Sequence, residues 1–137
     1  MTAFLDSNVI VAGLVPQHEH HAVCYPWVNR ENIVADLHAK LETYNTMTGR
    51  YRIPPAAAAS LLEGIEGMQW VELHPADYSE ALGSGAQGAA VYDALHCAVA
   101  LRIHAGQVVS INVKHLQRFT RLPLVNPADR MDAPDGY

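Results

Sequence analysis

Apolar positions in this chain fall into two kinds of stretch: short unbroken runs, and longer segments in which they recur every three or four residues. The first run, "TAFL" at residues 2–5, is a strand candidate that stops at an acid, Asp6. A helical pattern follows over residues 8–15, then a polar break, "PQHEHH", and a second helix over 20–29 disturbed by Pro26. "NIVA" at 32–35 reads as a second buried strand. Asp36 then serves as N-cap of a long helix running to Gly49, whose glycine suits the position just past a helix end. "IPPAAAASLLEGI" places prolines at a helix start. "MQWVEL" (68–73) is a third strand and "PADYSEAL" a short helix. A flexible loop follows at 83–88, and an alanine-rich helix at 88–105. "QVVSI" (107–111) is a fourth strand, "LPLVN" a weak fifth, and the tail from 127 lacks periodicity and is expected to be loose.

Strands that alternate with helices and are apolar throughout point to a parallel sheet covered on both faces, an α/β fold. In such sheets ligands bind beyond the carboxyl ends of the strands, where the strand order reverses. Asp6 stands at that end of the first strand. A carboxylate buried there is costly unless something pairs with it.

Polar residues gather at the equivalent places elsewhere. In the helix from residue 37, Leu37, Leu41, Tyr44 and Thr48 form one stripe, the expected buried face, and Glu42 lies one step round from it with His38, Asn45 and Gly49. A solvated surface glutamate is the plainer reading of Glu42 alone. In the alanine-rich helix Val91, Ala94, Leu95 and Ala98 make the expected packing face, with Asp93 beside it. An acid in a first helical turn can simply complement the helix dipole. Ser110, Asn112 and His115 follow the fourth strand, where a polar turn would also account for them.

Composition bears on this set. The 137 residues are half hydrophobic, enough for one core, and carry 14 acids against 9 Lys and Arg, a formal charge of −5. That is the wrong sign for holding nucleic acid by bulk attraction. Three carboxylates converging on one sheet end cannot all stay ionised without cations among them. Hard oxygen donors favour Mg²⁺ or Mn²⁺ over zinc, and such ions would attract the phosphate that the net charge repels. The two cysteines, Cys24 and Cys97, have no metal-type spacing, and a reduced, cytoplasmic setting is expected. No basic leader and no apolar run of membrane-spanning length precedes or interrupts the pattern, so no membrane association is expected.

The stretches "FLDSNVIVAGL", "LHAKLETYNTMTG", "VYDALHCAVALRIHAG" and "VVSINVKHLQRF", in this order and spacing, resemble the PIN domain family and specifically the VapC-type toxins of bacterial toxin–antitoxin pairs. The resemblance covers nearly the whole chain. It implies a nuclease domain over residues 1–127, with 128–137 a loose tail. The implied fold is a three-layer α/β/α sandwich on a parallel sheet ordered 3-2-1-4-5. The implied activity is that of a Mg²⁺- or Mn²⁺-dependent endoribonuclease leaving 5′-phosphate and 3′-hydroxyl ends. The family's first three acids fall at Asp6, Glu42 and Asp93, the implied metal ligands. Its fourth acidic position falls at Asn112, which can offer a carbonyl oxygen but no charge, so occupancy of a second metal site is open. Ser7 and Asn8 match the small polar residues after the first acid, and Ser110 the hydroxyl before the fourth position. His115 is a supporting residue. A VapB-like antitoxin, a tRNA or rRNA substrate and a homodimer are the implied partners, with the dimer expected through the helices near 54–62 and the second helix.

Other readings use the same residues. His96 would contact RNA or pack within its helix, and "HEHH" lacks the fixed spacing of metal ligands and reads as a solvated loop. A phosphatase with an aspartyl nucleophile would need a second acid two residues after the first, which "DSN" lacks. A catalytically degenerate module that binds RNA or protein is the main rival, because Asn112 stands in place of an acid.

Overall fold

The computed structural model describes residues 2–129. The short apolar runs become strands β1 (Ala3–Leu5), β2 (Ile33–Asp36), β3 (Met68–Val71), β4 (Gln107–Val109) and β5 (Leu124–Val125). Around them lie helices α1 (Ser7–Leu14), α2 (His21–Val28), α3 (Leu37–Gly49), α4 (Pro55–Glu63), α5 (Pro75–Gly83), α6 (Ala90–Arg102) and α7 (Val113–Leu116). The five strands form one sheet in the order β3-β2-β1-β4-β5, every pair parallel, as expected.

The central strand explains why its apolar run is continuous. Ala3 and Leu5 face one side of the sheet, where they join Ile33, Ala35 and Val109 and the inner residues of α1 to α4. Phe4 faces the other side and packs with Val34, Val108 and the α6 residues Cys97, Val99 and Ala100. Phe4 and Leu5 are fully buried. Each contributes roughly 2 kcal/mol by removal from water. Gly13 allows α1 to approach α2 closely, since a Cβ there would sit 2.8 Å from Val28.

Several expectations need correction. The buried side of α3 is Ala39, Thr43 and Met47, on the side of the helix opposite the Leu37–Leu41 stripe. Leu37 and Leu41 are exposed instead. Small residues let α3 sit close against α1, and Thr43 satisfies its own hydroxyl by donating to the Ala39 carbonyl at 2.8 Å. Gly49 is the last helical residue and not a residue beyond the end; Arg50 caps the helix. On α6, Ala94 and Leu95 are buried as expected, but so are His96, Cys97, Val99 and Ala100. This helix is shorter than predicted because Gly88 at φ +60 precedes it and His104 at φ +57 follows it, neither helical. The polar segment after β4 holds a one-turn helix, α7, where a turn was expected. The expected loose tail falls almost entirely outside the described residues, which end at Asp129.

Candidate active site

Asp6 follows β1 directly and is 95% removed from solvent, with 5% of its surface exposed. It caps α1: Oδ1 accepts the Ser7 backbone N–H at 2.7 Å, while Oδ2 accepts the Ser110 hydroxyl at 2.8 Å. Ser110 is fully buried just beyond β4 and is held in turn. Its oxygen accepts the Asn8 side-chain amide at 3.2 Å and the Asn112 backbone N–H at 2.9 Å. The Asn8 side-chain oxygen accepts the Ile111 N–H at 3.2 Å and completes the tie between the β1 and β4 ends. Burial nevertheless raises the Asp6 carboxyl above its ordinary value, against the lowering effect of His96 and Ser110.

A second network stands beside it. Asp36 ends β2 and caps α3, its Oδ1 accepting the Ala39 N–H at 2.7 Å. Its Oδ2 lies 2.7 Å from His96 Nδ1, and His96 Nε2 lies 2.8 Å from Glu42 Oε1. Burial alone would depress the His96 imidazole. The hydrogen bonds to Asp36 and Glu42 outweigh it and raise His96 well above 6.5. Glu42 shows the converse: burial raises it, but the bond to His96 leaves it lowered overall. His38 Nδ1 is 3.4 Å from the same Oε1, without the alignment of a hydrogen bond, and its ring stacks on Tyr92 at 4.9 Å. Both histidines therefore approach Oε1, and Oε2 has no protein partner among the described residues.

Asp93 comes from the first turn of α6 and is half-buried. Burial and then the charge of Asp6 raise its carboxyl, and no hydrogen bond offsets them. Asp6, Ser7, Asn8, Glu42, Asp93, His96, Asn112 and His115 all line one cavity of about 440 Å³. It lies at the carboxyl ends of β1, β2 and β4, the place the strand order designates. Burial, and after it the charges of Asp6 and Asp93, push the Cys97 thiol up to about 12. Three carboxylates thus line the cavity, against Arg118 and the His96 imidazolium.

Two donor sets in this region differ in their fitness for a metal. Among the described residues His38, Glu42 and His96 bring ligand atoms within 4.8 Å of one another. An imidazolium donates from both nitrogens and has no lone pair left, so His96 cannot ligate while it bridges Asp36 and Glu42. The other set fits a hard cation. Asp6, Asp93 and the unpartnered Oε2 of Glu42 offer oxygen only, and two of these carboxyls carry charge at a cost that a cation would relieve.

Every expected site residue thus lines the cavity or, like Ser110, holds one that does. Asp36 and His96 complete the arrangement. The N-cap role of Asp36 was readable, but its second oxygen serves a histidine 60 residues away. The one signal was an apolar-flanked histidine on α6, which needs hydrogen-bond partners wherever it is buried.

A model of the PIN domain family matches residues 3–122. Ribonuclease VapC40 of Mycobacterium tuberculosis is 33% identical over 98 residues, which cover 66% of this chain and 72% of that protein. Among solved structures, VapC20 of M. tuberculosis, a sarcin-ricin loop cleaving toxin, superposes with a TM-score of 0.66 at 15% identity. It covers 78% of this chain and 87% of its own. VapBC2 of Rickettsia felis, solved with a DNA fragment from its promoter, gives a TM-score of 0.66 at 17% identity over 92% of this chain and 98% of its own. With the sheet order, the cavity at the strand ends and these matches agreeing, the chain belongs to the PIN domain family and is of the VapC type.

Proposed function

We propose that this chain is the toxin of a type II toxin–antitoxin pair, an endoribonuclease that uses Mg²⁺ or Mn²⁺ and leaves 5′-phosphate and 3′-hydroxyl ends. The observation that carries this reading is that Asp6, Glu42 and Asp93 line one cavity at the strand ends, with burial holding the Asp6 and Asp93 carboxyls raised despite the nearby His96 charge. A purely structural pair of acids would be hydrogen-bonded out of conflict, and Asp93 is not. Asp6, Asp93 and Glu42 would hold the ion. A bound divalent cation supplies charge for the scissile phosphate and makes a water molecule more acidic.

The chain's own residues do the positioning. Ser110 and the Ser7 N–H hold the two Asp6 oxygens in place, each keeping a lone pair for the cavity. His96 holds Glu42 by Oε1 and so turns Oε2 free. Asn112, exposed at the rim, offers a neutral oxygen where a fourth charge is absent. His115 lines the same cavity three residues on and can donate to phosphate. A general base from protein is not needed.

Purified protein with mixed cellular RNA is the direct test. Cleavage with Mn²⁺ that stops in excess EDTA, with 5′-phosphate ends on sequencing, supports the reading. Cleavage that persists in EDTA defeats it. RNA binding without cleavage under any metal would favour the degenerate binding module that Asn112 suggests.

The family relation supports a VapB-like antitoxin as partner and a tRNA or rRNA substrate. A basic side chain from such an inhibitor would be drawn to the negative cavity. A homodimer is proposed through α4 and α2, where Leu61 and Tyr25 are exposed. A monodisperse monomer at high concentration in sedimentation would count against the dimer. No helix among the described residues is long and apolar enough to cross a membrane.

A further inference from the structure

Charge is segregated along this chain. Residues 94–128 contain no Asp or Glu, although the full chain has 14, and they include Arg102, Lys114, Arg118 and Arg121. Arg102 is committed: it forks onto the buried Asp77 at 2.9 to 3.2 Å and donates to the Glu72 carbonyl. Lys114, Arg118 and Arg121 are exposed and have no carboxylate within ion-pair distance among the described residues. Arg118 stands in two cavities at once. It lines the acidic cavity beside His115 and Asn112, and also a neighbouring hollow of about 620 Å³ that it shares with Gln117, Thr120 and Arg121. Its guanidinium lies 4.8 Å from the Phe119 ring, which holds it against the surface. A cationic path thus leads away from the acidic cavity, from Arg118 to Arg121, along the segment after α7.

We propose that this path, Arg118 and Arg121, is a binding track for the phosphodiester backbone of single-stranded RNA, which it delivers to the acids at its end. The proposal rests on the ribonuclease reading for the identity of its ligand. The physical need is plain: a chain of charge −5 repels RNA at long range, and an ion among the acids attracts only the phosphate next to it, so a local cationic face is needed to hold the rest of the strand. Arg suits the task because its fork meets phosphate oxygens in pairs. Its long, exposed stem also gives a backbone of any sequence equal access, so the track orients the strand without reading its bases.

The test is binding of a short mixed-sequence RNA, followed by fluorescence anisotropy at low salt and across increasing NaCl, with EDTA present so that no strand is cut. Each neutralised phosphate contact on a single strand contributes about 0.7 to the slope of log affinity against log salt. Arg118→Ala and Arg121→Ala should each lower the slope by about that amount and weaken binding at every sequence alike. The pair together should lower it by about 1.4. Arg118→Lys and Arg121→Lys should keep most of the slope, which separates lost charge from a damaged fold, and unfolding curves of all variants check the same point. Wild-type slope and affinity in the double alanine variant, or no RNA binding by the wild-type protein, overturn the track. If the double variant keeps its slope while the wild type cuts RNA with Mn²⁺, the track fails and the ribonuclease reading stands. If the slope falls in a protein that cuts nothing, the track stands and the ribonuclease reading fails.

Discussion

His96 is clamped between two carboxylates, Nδ1 2.7 Å from Asp36 Oδ2 and Nε2 2.8 Å from Glu42 Oε1, with 2% of its surface exposed. Asp36 is fully buried and Glu42 about one-third exposed, so the pair with Asp36 is the less screened of the two. This clamp gives the β2–α3 corner and α6 a shared charged joint beneath the cavity.

Stability should follow the proton on His96. Its folded value lies above the unfolded 6.5, so the folded state keeps the proton longer than the unfolded chain does. The stabilisation is complete below about pH 6.5 and is lost as pH rises through the folded value. Urea titrations of the metal-free protein from pH 6 upward should show stability falling on the alkaline side. The fall should be much smaller in His96→Gln. Equal slopes in the two proteins would show that His96 is not protonated in the fold. His96→Leu, which strands the buried Asp36 charge, should cost about 3 to 5 kcal/mol.

The metal-free protein should gain stability from Asp93→Asn. Burial and the Asp6 charge hold the Asp93 carboxyl raised, so its ionisation works against the fold. Asp93 contributes most below its unfolded value of 3.8, and that contribution is lost as pH rises through the folded value. Asparagine removes the repulsion and breaks no hydrogen bond. A higher melting temperature at pH 7.5 in EDTA, together with loss of cleavage beyond about 100-fold, is the expected pair of results. Asp6→Ala should gain less or nothing, because it also strips partners from the Ser7 N–H and the buried Ser110 hydroxyl. A lower melting temperature for Asp93→Asn would mean that its carboxyl has a partner at present unaccounted for.

How far the sequence was legible differs between these residues. The strands were readable because a run buried on both faces has no polar position to hide, and Asp6 marked the end of the first by interrupting it. The sheet order came with the family resemblance and the register agrees with it, Phe4 pairing with Val34 and Val108. The face of α3 was misread for a physical reason. Hydrophobic periodicity weighs Leu37 and Leu41 heavily, whereas close packing against α1 selects small side chains, Ala39 and Thr43, that periodicity hardly counts. The Asp36–His96–Glu42 clamp was beyond reach because His96 lies 60 and 54 residues from its two partners. Each has an ordinary local reading, as a cap, a packing histidine and a surface acid.

Glu42 itself allows a separation of roles. Glu42→Gln keeps an oxygen for His96 Nε2 at the 2.8 Å position but removes the charge that the free Oε2 would bring to a cation. Metal affinity should fall, and the melting temperature in EDTA should drop less than in Glu42→Ala because the hydrogen bond is kept and only the charge is lost. Glu42→Ala should lose both, since the His96 Nε2–H is then left unpaired at a buried site, costing roughly 1 to 3 kcal/mol. Isothermal titration with Mn²⁺ and unfolding in EDTA read the two effects independently. If both variants bind Mn²⁺ as the wild type does, Glu42 is only a structural anchor for His96.

Asn112 stands where the family resemblance would place a fourth acid. Its backbone N–H is fixed to Ser110 at 2.9 Å, and the residue is exposed at the cavity rim, so its position is set while its side chain remains accessible. With three carboxylates, one divalent ion should bind usefully, and a second only when RNA phosphate adds oxygen ligands. Asn112→Asp restores a charge at nearly the same place without changing the volume. It should tighten Mn²⁺ binding in the absence of RNA, and the gain should shrink as salt is raised, because an exposed charge is screened within about 10 Å at 0.1 M. Asn112→Ala should weaken cleavage far less than Asp93→Asn, since it removes a neutral oxygen only. Titration calorimetry of the three forms at low and high salt decides between a ligand and a bystander. Unchanged affinity in Asn112→Asp would place the side chain away from the ion.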